Sequence, residues 1–129
     1  METESQRDSG AVAEQGGALL LRWTDLGPDG TGGEFQGFAH GDIGASFIIV
    51  DAPPGGGPRL HRHPYAEIFL ILEGTVTFTA GADVIEAGGG QMVVVPAGMP
   101  HKFVNSGTGR LRQVDIHPSN RFVTEWLED

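Results

Sequence analysis

From Ala18 onward the chain is a succession of short apolar stretches interrupted by Gly, Pro and Asp, with almost no helical periodicity before its last ten positions. That pattern predicts strands at residues 19–23, 34–39, 45–51, 59–63, 68–73, 75–79, 84–87, 92–95, 101–105 and 111–117. Ten short strands in about 100 residues predict an all-β sandwich or barrel. Thr75-Val76-Thr77-Phe78-Thr79 alternates as a strand with one buried face does, and Ala80-Gly81-Ala82-Asp83 supplies a turn into Val84-Ile85, which together read as an antiparallel hairpin. Ile68-Phe69-Leu70-Ile71-Leu72 and Met92-Val93-Val94-Val95 are apolar at every position. Both strands are therefore expected to be covered on two sides, one cover being a subunit interface. Near the end, Phe122, Val123, Trp126 and Leu127 recur at three- and four-residue spacings that permit a short amphipathic helix, and a strand is equally compatible with so short a run. Trp126 is expected to anchor this segment on the barrel or on a partner subunit. Residues 1–17 are polar and aperiodic and are expected to form a disordered tail. The expected organisation is thus a tail at 1–17, a barrel at 18–118 and a packed C-terminal segment at 119–129.

A length of 129 residues fits one domain with a single core and is too short for a duplicated barrel. With 17 acidic and 8 basic residues the net charge is -9, which disfavours nucleic acid and anionic membrane as partners. There is no cysteine, no run of 18 apolar residues and no signal-like N-terminus, so a cytoplasmic protein is expected.

The candidate chemistry lies in two clusters. His61, His63 and Glu67 are followed by His101, 34 positions after Glu67. On an extended strand alternate side chains share a face, so His61 and His63 point the same way with Cα atoms roughly 6.6 Å apart and can converge on one ion. Glu67 lies far enough along to approach from a new direction, and His101 has to arrive from another strand. Three imidazoles and a carboxylate suit one divalent transition metal, Fe, Mn, Ni, Co or Zn, rather than the oxygen-preferring Ca or Mg. An octahedral ion so held keeps two positions open for a substrate. Pro96 and Gly98 are expected to end their strand abruptly and aim His101 inward.

The spacing of these residues resembles the two motifs of the cupin superfamily. The first runs from Gly55 through His61-x-His63 and Glu67 to Gly74, and the second from Gly90 through Pro96-x-Gly98 and His101 to Asn105, with 15 residues between them. The resemblance spans about 50 of 129 residues. It implies a double-stranded β-helix, or jelly-roll barrel, with a metal near one mouth held by His61, His63, Glu67 and His101. It also implies a homodimer joined through the sheets. Dioxygenases, isomerases, decarboxylases, metal-free epimerases, storage proteins and sensor domains share that fold, so the fold alone does not select the activity.

Beyond the four ligands, Gln113, Asp115 and His117 alternate along one strand and so share a face. If that face is internal, Asp115 or His117 would serve as proton shuttle or ligand partner; if external, the three form a solvated stripe. Glu67 is a second candidate base. Tyr65 is placed to reach a bound ligand or to pack at the loop edge, and Phe47, Ile49, Met99 and Phe103 are candidate pocket walls or core. His40 is expected at the surface. The sequence supports a metal-dependent enzyme of the dioxygenase or isomerase type acting on a small oxygen-bearing molecule, with a non-catalytic binder or sensor and a structural barrel as the other classes.

Overall fold

The computed structural model describes residues 17–26 and 33–129. The expected N-terminal tail lies outside the described residues except for Gly17. Among them are ten strands: β1 (Gly33–Gln36), β2 (Ser46–Ala52), β3 (His61–Arg62), β4 (Glu67–Glu73), β5 (Thr75–Ala80), β6 (Asp83–Gly88), β7 (Met92–Val95), β8 (His101–Asn105), β9 (Leu111–His117) and β10 (Glu125–Trp126). They form two five-stranded antiparallel sheets, ordered β1-β2-β9-β4-β7 and β10-β3-β8-β5-β6. Strands distant in the chain are thus neighbours in space, the arrangement of a jelly-roll barrel. No helix among the described residues is long and apolar enough to cross a membrane.

The two-residue period of each strand divides the side chains between an inner and an outer layer. Inside, Phe69 and Ile71 of β4 meet Phe78 of β5 and Phe103 of β8, with Val76, Val95 and Leu111 closing the core. The Phe69 and Phe78 rings meet edge to face at 4.8 Å between centroids, a favoured geometry for aromatic pairs. Outside the first sheet, register places two apolar rows across all five strands: Phe35, Phe47, Ile116, Ile68 and Val94 in one, and Gly33, Ile49, Val114, Leu70 and Met92 in the other. Met92 is 68% exposed and Val94 63%. Within one chain, β7 is therefore covered on one side only, by contact of Val93 and Val95 with the core.

The hairpin of β5 and β6 forms as expected, with Gly81 and Ala82 at its tip. β7 ends at Val95, directly before Pro96, and Gly98 takes a φ of 77° as its amide donates to the His63 carbonyl at 2.7 Å. Two expectations are corrected and one left open is decided. Residues 19–23 form no strand; a 3-10 turn occupies Trp23–Asp25, and it is the Leu26 carbonyl that meets the start of β1, accepting from the Glu34 amide. The strand expected at 34–39 stops at Gln36, because a 3-10 turn at Gly37–Ala39 folds the chain back so tightly that a Cβ at Gly37 would lie 1.8 Å from the Ile43 carbonyl oxygen. The C-terminal segment is not helical. A stretch this short gains little from a helix of its own, whereas the free edge of β3 offers pairing partners. Glu125 and Trp126 pair with Arg62 and His61, and the Leu127 amide donates to the Leu60 carbonyl at 2.9 Å.

Candidate metal centre

His61 of β3 and His101 of β8 are register partners in one sheet, so their side chains stand side by side, and His63 follows just beyond β3. Glu67 opens β4 of the facing sheet. The site is therefore formed between the sheets, at one end of the barrel, by residues that an isolated segment would not bring together. One ligand atom from each of His61, His63, Glu67 and His101 lies within 4.8 Å of the others, and all four residues are buried.

The outer nitrogens of the imidazoles decide what the inner ones can do. His61 Nδ1 lies 2.7 Å from the Arg59 carbonyl oxygen, His101 Nδ1 lies 2.9 Å from that of Met99, and His63 Nδ1 lies 2.8 Å from that of Val123. A carbonyl oxygen can only accept, so each Nδ1 carries a proton, and a ring in its neutral form turns a bare Nε2 toward the centre. There, His63 Nε2 and His101 Nε2 approach Glu67 Oε1 at 3.0 and 3.1 Å. The His63 contact is close but off the line of a hydrogen bond, which leaves that buried nitrogen without an aligned partner. Acceptors this near to one another need a proton or a cation between them. A proton would create a buried imidazolium, whereas a divalent cation would satisfy the three nitrogens and the carboxylate together. The donor set fits a divalent transition metal.

The ionisation of these groups follows from the same contacts. Burial pushes the Glu67 carboxyl up, but contacts from His101, His117 and His63 outweigh it and hold it below the ordinary carboxylate range. Burial holds His61 below its ordinary value, helped by repulsion from His101 and His63 and opposed by the Arg59 carbonyl. At His63 burial also disfavours charge, but Glu67 and the Val123 carbonyl prevail and its pKa is raised.

Gln113, Asp115 and His117 all face inward from β9 and are 0%, 3% and 2% exposed. His117 Nε2 lies 3.0 Å from Glu67 Oε2, and its Nδ1 lies 2.7 Å from the Tyr65 hydroxyl, which accepts from the Val123 amide at 3.1 Å. A hydroxyl can donate or accept, so the His117 proton is not confined to one nitrogen as in the other three rings. Asp115 Oδ1 accepts from Gln113 Nε2 at 2.8 Å. Burial and the nearby Glu67 push the Asp115 carboxyl well above its ordinary value, against the pull of Gln113.

A cavity of about 490 Å³ opens onto this cluster, within the range of small-molecule sites. Asp115, His117 and Phe103 line it, together with Ile48, Val50 and Ala52 of β2. Tyr65 sits at its edge through the bond to His117 rather than in its wall. Of the four residues expected as pocket wall or core, three lie outside the wall. Phe47 faces the outer side of the first sheet, where it stacks on Phe35 at 4.7 Å, because its neighbours Ser46 and Ile48 hold the inward positions; Ile49 shares that outer face. Met99 packs against the hydrophobic core and lies beside Gly81, and only its backbone carbonyl serves the site. His40, expected at the surface, is half-buried and stacked on Phe35 at 4.5 Å.

Sequence reasoning missed the cavity roof. Phe122, Thr124 and Trp126 line it, and the Trp126 and His61 rings lie 5.0 Å apart. Glu34 also reaches the cavity. The only signal was the aromatic content of the last ten residues, which indicates burial without indicating against what.

The profile of the cupin domain family matches residues 48–117. The chain belongs to the cupin family. Among solved structures, this cupin is similar to oxalate decarboxylase at a TM-score of 0.69, and to the Bacillus subtilis oxalate decarboxylase at pH 4.6 at 0.68. A structure from a study of the Mn(II) centres of the B. subtilis enzyme also aligns at 0.68. Each is 20% identical over 74% of this chain and 27% of the other, so the chain spans about a quarter of the length of these enzymes and the likeness is one of fold. A search of curated proteins finds no match.

Two outcomes follow from the site geometry. Ending the chain after Phe122 removes the Val123 carbonyl and the roof residues Thr124 and Trp126 but only the two-residue edge strand, so the circular dichroism spectrum should persist while metal affinity, measured against a chromophoric chelator, falls about 10- to 100-fold. For Asp115, a carboxyl with a raised folded-state pKa contributes stability that is present below its unfolded value of 3.8 and lost as pH rises toward the folded value. The melting temperature of Asp115→Asn should therefore match wild type at about pH 4 and exceed it by a margin that grows toward about pH 8. Parallel curves for the two proteins would show that the carboxyl is not held neutral.

Proposed function

We propose that this cupin is a metal-dependent enzyme of the dioxygenase or isomerase type acting on a small oxygen-bearing molecule. The observation that carries the proposal is the set of three Nδ1–carbonyl hydrogen bonds, which leave three bare imidazole nitrogens facing one carboxylate at the end of a cavity. His61, His63, Glu67 and His101 would hold the ion, which when bound supplies Lewis-acid polarisation of a substrate oxygen. Phe103 and Ile48 orient the apolar part of the substrate and exclude water. His117, between the Tyr65 hydroxyl and Glu67 Oε2, accepts and returns the substrate proton, and Asp115 offers a hydrogen bond from the same wall. Glu67 is the alternative base.

A non-catalytic binder is the second reading, favoured by walls in which apolar side chains outnumber groups able to move a proton. The test begins with elemental analysis of protein purified without added metal. Near-stoichiometric transition metal is expected, with little retained by His61→Ala or His101→Ala. Turnover or oxygen uptake with diketones, catechols or hydroxy acids would support the enzyme, and saturable binding without product would support the binder.

We also propose that the chain forms a homodimer across the two apolar rows of the first sheet. A contiguous apolar face of this extent is rare on a monomer, and its occupant is taken to be a second copy because the rows span the whole sheet without a charge. Sedimentation should give a dimer for wild type and a monomer for Met92→Lys combined with Val94→Lys.

A further inference from the structure

The charge of the cavity narrows the chemistry of its ligand, on the footing that the four-residue site holds a divalent ion. Among the described residues no Lys or Arg lines the cavity, whereas Glu34 and Asp115 do. Arg59, next to the lining residue Pro58, is not itself in the lining: its guanidinium stacks over the lining residue Trp126 at 4.5 Å and donates to the Glu128 carbonyl at 3.4 Å. Arg62 forms a salt bridge with Glu125 at 2.7 Å. Glu67 cancels one of the two charges of a divalent ion and leaves one positive charge for a ligand to meet.

A fully ionised dicarboxylate overshoots that balance. Its second charge would lie against Ile48, Val50 and Phe103, where no described Lys or Arg is placed to receive it, and a buried charge without a partner is costly. A two-carbon dicarboxylate would also leave most of the 490 Å³ to water. By contrast, a molecule that enters uncharged and breaks one O–H bond on chelation, releasing the proton to solvent, neutralises the remaining charge and keeps its apolar body for the walls. Phe103, Phe122 and Trp126 suit a planar ring.

We propose that the cavity selects uncharged, mainly apolar molecules bearing a hydroxyl beside a carbonyl, and rejects small dicarboxylates.

Two hydroxypyranones isolate the charge. Allomaltol and comenic acid share the same chelating hydroxyl and ketone and differ by a methyl group in place of a carboxylate. Calorimetric titration of each into the Co(II)-loaded protein, normalised to its affinity for aqueous Co(II), should favour allomaltol by at least about tenfold. In Ile48→Arg, which places a cation in the wall, that preference should shrink or invert. Equal or tighter binding of comenic acid by wild type overturns the selection, as does an unchanged preference in Ile48→Arg. If the protein takes up no Co(II), the metal-site reading fails and this inference fails with it. Stoichiometric uptake without the preference defeats the inference alone.

Discussion

Hydrogen bonds from three imidazole Nδ1 atoms to the carbonyls of Arg59, Met99 and Val123 are the constraint on which the site depends. They set the tautomer of each ring before any ligand arrives, and so convert three ordinary histidines into three fixed lone pairs. Two of the carbonyls lie two residues from the ring they hold, a local arrangement set by the bend of the chain beside each strand. The third comes from the C-terminal segment, 60 residues away, and is brought into reach by the pairing of β10 with β3 and by the bond from the Val123 amide to the Tyr65 hydroxyl. Metal affinity and the docking of that segment are consequently one problem for the fold.

The two sheets divide the labour. The sheet containing β3 and β8 supplies the three imidazoles, while the facing sheet supplies Glu67, Asp115 and His117. The aromatic core of Phe69, Phe78 and Phe103 lies between them and fixes their separation, so the spacing of the ligands is set by packing that has no chemistry of its own. His117 differs from the ligand histidines for a concrete reason: its outer nitrogen meets a hydroxyl rather than a carbonyl, and a hydroxyl does not dictate where the proton resides.

Much of this was legible in the sequence where a short-range pattern expressed it. Alternation in Thr75-Val76-Thr77-Phe78-Thr79 gave the hairpin, and the His61-x-His63 spacing placed two imidazoles on one face. Inward orientation of Asp115 and His117 was left open because alternation gives two faces without saying which is inside. Phe47 was misplaced for the same reason: both faces of β2 are apolar, and hydrophobicity cannot separate a pocket wall from an outer row. At the C-terminus the residues left helix and strand both open, since the choice depends on the edge of β3 and not on the segment's own residues. The roof formed by Phe122 and Trp126 depends on that same docking.

β9 shows how narrowly these assignments are held. Val114 and Ile116 lie in the outer rows, while Gln113, Asp115 and His117 alternate with them toward the interior. Inserting or deleting a single amino acid in this strand, if its pairing with β2 and β4 were kept, would exchange the two sets. Aliphatic side chains would enter the cavity and carboxyl and imidazole groups would turn outward, so β9 tolerates a change of residue far better than a change of length.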